Sequence, residues 1–290
     1  MYFARNKNAR VRILSKNHNV GEGRHGVKVS HEIQIHKKIQ TNIITVSGKT
    51  VGENLKRKIE INRKVIKSFK DNLSENAGFL VMKGNFFSSA IMKTSVISPE
   101  FRERYLSDPN HPNVFKGKAV VFEGPEDYHK RINSKKLKIN EKSILIIRGC
   151  GPVGYPGAAE VVNMQPPDRL LKKGINALPT LGDGRQSGTS ESPSILHVSP
   201  ESAIGGDLAI VKTGDKMRID LNKRRVDLLI SKIEFNKRRK RKKIPKLDNQ
   251  TPWQEISRLN VGQLEDGACI RSRGIYMDIA EKKGIPRNNH

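Results

Sequence analysis
From Gly78 onward the sequence falls into apolar, β-branched runs that are too short for helices: GFLVMKGNFF, SSAIMKTSV, GKAVVFEG and SILIIR, separated by Gly, Pro and Ser. Short runs of this kind between turn formers are strand signals. Strands are predicted at Ala119–Glu123, over SILIIR and at Ile195–Val198. The segment DLAIVKTGDKMRIDLNKRRVDLLIS alternates apolar and polar residues around two turn signals and reads as a β-meander. Helical signals are weaker. PEDYHKRINSKKLKINE carries helix formers, AAEVVNM allows barely two turns before Pro166 and Pro167, and SPESA offers Ser199 as an N-cap with Pro200 in the first turn. Many short strands, few helices and several glycine turns predict a mainly β chain with short helices (α+β), arranged as a barrel or sandwich and not as a doubly wound sheet.

Charge bears on what such a chain meets. Lys and Arg number 55 against 29 Asp and Glu, a formal net charge of +26, which attracts nucleic acid, anionic membranes or acidic proteins. Biased use of Lys and Asn at solvated positions is the plainer account of most of it. The densest run, FNKRRKRKKIPK from Phe235 to Lys246, reads either as a nuclear address or phosphate-contacting strip at 238–243, or as a solvated linker. Aromatic residues do not alternate with it, so base stacking on a single strand is not indicated. Residues 1–40 mix Asn, Lys, Arg, His and Gly without period and are expected to be a disordered basic lead-in, with a faint likeness to an organelle transit segment. Residues 51–70 suit either a basic helix or an extended connection. No apolar run approaches the roughly 18 residues of a spanning helix, so no membrane is expected. Cys150 and Cys269 lie far apart and outside C-x-x-C spacing, which excludes a legible disulfide framework or zinc site and fits a reducing, cytoplasmic setting.

Two glycine-rich loops could carry chemistry. The first, RGCGPVGYPGAAE, places Gly149, Gly151 and Gly154 at G-x-G-x-x-G spacing after an apolar run. A dinucleotide turn needs a long helix behind the third glycine, whereas Pro152 and Pro156 interrupt this loop and Pro166 cuts off the short segment behind it. The loop delivers Glu160 just inside a short helix, where a carboxylate also suits the helix dipole without any further role. The second loop, Gly182 to Ser190, gathers three glycines, Asp183, Arg185 and the hydroxyls of Ser187, Thr189 and Ser190. Its amides could wrap an anion, or it is an ordinary polar turn.

The phrases GFLVMKGNFFSSAIMKTSVIS, AVVFEGPEDYHKRI, RGCGPVGYPGAAEVVNMQPP, LGDGRQSGTSESPSIL, SPESAIGGDLAIVKTGDKMRIDL, QTPWQEI and GIPRNNH, in this order, resemble the carboxy-terminal half of the dihydroxy-acid dehydratase and phosphogluconate dehydratase family. The wording is most similar to the branch that dehydrates sugar acids such as arabinonate and xylonate, and the likeness runs from about Ile43 to His290. The resemblance implies a swivelling β-barrel-like carboxy-terminal domain over residues 78–232. Before it, 41–77 is expected to be a remnant of the preceding domain and linker; after it, 233–290 is expected to be a basic linker and tail.

The resemblance also implies a hydro-lyase that converts a 2,3-dihydroxy acid to a 2-keto-3-deoxy acid with a magnesium ion and an iron–sulfur cluster. In that scheme Glu160 approaches the magnesium, Ser187 is the base and Thr189 assists it. A cluster takes three or four thiolates and this chain has two cysteines, Cys150 reading as packing, so the cluster cysteines are expected to belong to an amino-terminal half and the chain alone to be inactive. Glu191, His197 and Asp207 depart from the residues common in the family. The expected partners are the sugar-acid substrate and either a second copy or an amino-terminal-half partner, with nucleic acid as the alternative.

Overall fold
The computed structural model describes residues 41–56, 62–65, 67–68, 71, 78–186, 191–271, 279 and 282, so the lead-in of residues 1–40 lies outside the described residues. The chain forms two compact units, Met1–Gly78 and Phe79–His290. In the first, Thr50 and Glu53 form a reciprocal capping box on a single helical turn, α1 (Val51–Asn54). Only this turn of the 51–70 stretch is helical among the described residues.

The second unit is a closed eight-stranded barrel. Its strands are β1 (Phe79–Gly84), β2 (Ser89–Lys93), β3 (Val114–Glu123), β4 (Ser143–Arg148), β5 (Thr180–Gly182), β6 (Ser194–Ser199), β7 (Lys216–Asp220) and β8 (Arg225–Leu228). Their order around the barrel is β1–β2–β6–β5–β4–β3–β7–β8, closed by parallel pairing of Lys83 with Arg225 and Gly84 with Val226. The expectation of a mainly β barrel with short helices is met. Strands β3, β4, β5 and β6 are mutually parallel, flanked by antiparallel β7 and β2.

The uninterrupted apolar runs of β3 and β4 follow from burial on both faces, as parallel strands covered on both sides require. Ala119, Val121, Ile144 and Ile146 join the core cluster that also holds Met82, Ile195, Met217 and Val226. The alternate residues Val120, Phe122, Leu145 and Ile147 join a second cluster with Ile132, Ile139, Val162, Met164 and Leu170. Each Val, Leu, Ile, Phe or Met among them contributes about 1.5–3 kcal/mol on burial. Helix α2 (Pro99–Tyr105) adds Phe101 to the first cluster, whereas α3 (Gly124–Arg131) packs Tyr128 against the second, outer cluster and α4 (Asp168–Leu171) adds Leu170 to it; the chain continues through α5 (Lys232–Arg241) and α6 (Pro252–Asn260). Among the described residues no helix is long and apolar enough to cross a membrane.

Three sequence expectations need correction. AAEVVNM is not helical: Ala158 takes a left-handed φ of 49°, and the amides that a helix would use bond elsewhere. SPESA does not start a helix at Ser199, because Ser199 ends β6 and the next turn, a 3-10 segment at Ser202–Ile204, is preceded by Glu201. The expected meander is a two-stranded hairpin, β7 with β8, behind a 3-10 turn at Asp207–Ile210.

Candidate active site at the carboxyl mouth of the barrel
Parallel strands end at the same side, so the carboxyl ends of β3, β4, β5 and β6 deliver their loops to one mouth of the barrel. In open parallel sheets this is also where ligands settle. The loop after β4 carries Glu160, the loop after β5 carries Asp183 to Gln186, and the turn after β6 carries Glu201 and Ser202.

Asp183 is fully buried and ties the three together. One carboxylate oxygen accepts from the Cys150 amide at 2.8 Å; the other accepts from the Gly149 amide at 3.1 Å, the Ser202 amide at 2.9 Å and the Ser202 hydroxyl at 2.6 Å. Glu201, also fully buried, accepts from the Val153 amide at 2.9 Å, the Gly154 amide at 2.8 Å and Gln263 Nε2 at 2.7 Å. Burial pushes its carboxyl above the usual range, and these donors pull the other way. This packing requires the glycine at position 151, where a Cβ would lie 2.4 Å from Glu201 Oε2. Sequence reading missed both carboxylates as the groups that shape the mouth, because nothing local marks an acid whose donors are far along the chain.

The loops after β4 and β5 meet directly. The Arg185 amide donates to the Ala159 carbonyl at 3.0 Å, and the Val162 amide donates to the Arg185 carbonyl at 3.1 Å. Arg185 Nε donates to the Ala158 carbonyl at 2.6 Å, and Gln186 Nε2 to Asn163 Oδ1 at 3.3 Å. Glu160 therefore sits inside the short ladder that joins the loops. Its side chain is exposed, and no described residue donates to its carboxylate. Ser187 and Thr189 lie outside the described residues, with Gln186, the anchored neighbour of Ser187, at their edge.

Beside this ladder β6 carries one extra residue opposite β2, and His197 there adopts a φ of 60° while its amide donates to the Gly184 carbonyl at 3.0 Å. Bulges of this type recur next to active sites. Burial, then the neighbouring Arg185 charge, holds the His197 imidazole below its ordinary pKa.

Among the described residues no group of three or more His, Cys, Asp or Glu is placed to hold a metal ion. Glu160 offers one carboxylate oxygen, which suits a single position on a hard cation that keeps waters or substrate on the others. The cysteines do not suit a cluster. Cys150 is buried against the Asp183 turn with its thiol pushed far up by burial, and Cys269 is a separate, partly exposed thiol.

Residues 235–241 of the basic run lie in α5, where a linker was one expectation. Ser231 caps it by accepting from the Glu234 amide at 3.2 Å. Arg238, 13% exposed, bonds Asp215 through both terminal nitrogens at 2.5 and 3.1 Å and Glu234 at 2.7 Å, while Arg239 and Lys242 pair with Asp207. Lys240, Arg241 and Lys243 face solvent.

Residues 64–268 match the family model described as dihydroxy-acid/6-phosphogluconate dehydratase C-terminal. The chain is 54% identical over 254 residues to a D-xylonate dehydratase of Caulobacter vibrioides, covering 87% of this chain and 42% of that protein. It is 41% identical over 201 residues to an L-arabinonate dehydratase of Rhizobium leguminosarum bv. trifolii, covering 69% and 33%. It is 36% identical over 213 residues to a dihydroxy-acid dehydratase of Clostridium beijerinckii, covering 73% and 36%. The chain thus spans less than half the length of each of these relatives.

Proposed function
Because the chain belongs to the dihydroxy-acid/6-phosphogluconate dehydratase family through its carboxy-terminal domain, we propose that it forms one wall of a site that dehydrates a 2,3-dihydroxy sugar acid of the xylonate or arabinonate kind. The observation that carries this reading is the backbone ladder between Arg185 and Ala159–Val162, which joins the segment bearing Glu160 to the segment leading into Ser187.

In the proposed reaction C2 loses its proton, the C3 hydroxyl leaves as water, and the resulting enol becomes a 2-keto-3-deoxy acid. Ser187 receives the C2 proton and Thr189 holds the Ser187 oxygen in place. An alcohol is a base only when ionised, so loop amides around it must stabilise the alkoxide. Glu160 would give one oxygen to a magnesium ion, whose charge, when bound, stabilises the enolate that develops on the substrate. The two cysteines cannot ligate an iron–sulfur cluster, so thiolates for one would have to come from outside this chain. A partner equivalent to the unmatched portion of the longer relatives, or a second copy, would complete the enclosure. Two cysteines that are not joined in a disulfide suit a reducing cytoplasm.

The test mixes the chain anaerobically with the portion of the Caulobacter D-xylonate dehydratase that lies outside the match, and measures 2-keto acid formed from D-xylonate. Formation of the keto acid is expected with the mixture and not with the chain alone. Ser187→Ala should lower the rate by about 10²–10⁴, the range for a lost general base, and Glu160→Gln should raise the magnesium needed for half-maximal rate. Unchanged kinetics in both variants would remove the assigned roles.

A further inference from the structure
Helix α6 begins where Thr251 accepts from the Gln254 amide at 3.2 Å with Pro252 at its first position, so its start is fixed within a residue. Near its end Arg258 turns toward the mouth. Its Nε donates to the Val153 carbonyl at 2.9 Å and its Nη2 to the Gly154 carbonyl at 3.4 Å; its Nη1 donates to the Asp248 carbonyl at 2.7 Å and to Asn249 Oδ1 at 2.5 Å. Five residues on, Gln263 makes a reciprocal pair with Glu201, accepting from its amide at 2.8 Å and donating to its carboxylate at 2.7 Å. The peptide groups of Val153 and Gly154 are thereby held on both sides: their N–H groups by Glu201 and their C=O groups by Arg258.

An arginine that forms no ion pair with a carboxylate among the described residues, and instead satisfies loop carbonyls, is used for shape. The same loop continues through Tyr155 and Ala158, whose amides bond back to Gly151 and Tyr155, into the Ala159 carbonyl that receives Arg185. We infer that α6 and the turn after it are a strap on the glycine loop, with Arg258 and Gln263 as positioning residues for Glu160. The strap fixes the loop before substrate arrives, which lowers the ordering cost of binding. As a role in catalysis this rests on the proposed dehydratase reading; as a statement about the loop it does not.

Amide hydrogen exchange on the full chain separates the two. Arg258→Ala and Gln263→Ala are expected to raise exchange at Val153 and Gly154 at least tenfold, leaving Cys150, held by Asp183, and the amides of β3 and β4 at wild-type rates. Arg258→Lys, which keeps one donor, should restore much of the protection. Unchanged exchange at Val153 and Gly154 would overturn the inference, and so would a uniform rise across the barrel, which would make α6 an ordinary contributor to global stability. In the mixed assay Arg258→Ala should lower kcat and Arg258→Lys should recover it. If the wild-type mixture makes no keto acid, the dehydratase reading fails and the exchange result still decides the strap.

Discussion
At the mouth of the barrel single residues matter through the space they leave or the charge they cannot carry. Gly151 leaves the space that Glu201 Oε2 fills, and Asp183 commits both carboxylate oxygens to the backbone of two other turns. His197 is constrained in its proton. Its folded-state pKa lies below the ordinary value of about 6.5 because burial and Arg185 penalise the imidazolium. Between the folded and unfolded values the unfolded chain binds more protons, so stability is fully present above about pH 6.5 and falls as the solution is acidified through the folded value. Urea unfolding as a function of pH should show this loss in the wild type and a smaller one in His197→Asn, a residue that tolerates the positive φ. A His197 imidazole resonance, assigned by its loss in His197→Asn, that titrates above pH 6.5 in the folded chain would contradict the assignment.

Among the elements, legibility followed local pattern. The strands were readable from β-branched runs between turn formers, and β4 needed nothing beyond SILIIR. Helices failed where tertiary bonds overrode propensity. AAEVVNM has helix formers, yet Val162 donates across to Arg185 and Val162 and Met164 are buried in the outer cluster, so the segment is pulled straight. The basic run misled in the opposite direction: its charge density reads as solvated, and the acids that neutralise Arg238, Arg239 and Lys242 include Asp207 and Asp215, which no helical spacing reveals. Glu160 could be named from its phrase, but the acids that shape its loop, Asp183 and Glu201, could not. Breaking the Arg238 cluster should be costly, since it strands Asp215, 9% exposed, without its cation. Arg238→Ala is expected to lose about 2–4 kcal/mol in chemical denaturation, against about 0.5 kcal/mol or less for solvent-facing Lys240→Ala. Equal effects would mean that α5 is held by something other than this pairing.

Across the barrel as a unit, closure fixes direction as well as shape. Four parallel strands in succession leave four loops no choice but the same mouth, where the proposed chemistry would use a carboxylate and a hydroxyl together. A net charge of +26 is compatible with an anionic substrate but selects nothing by itself. The proposed chemistry stands on a spatial relation: Glu160 and Ser187 face one reactant. Short-linker crosslinking reads that relation in the full chain carrying Cys269→Ser, Glu160→Cys and Ser187→Cys, with Cys150 protected by burial. A single intramolecular bridge between positions 160 and 187 is expected, found by mass spectrometry of the digested monomer. Two thiols that each take up a separate linker and never bridge would contradict it.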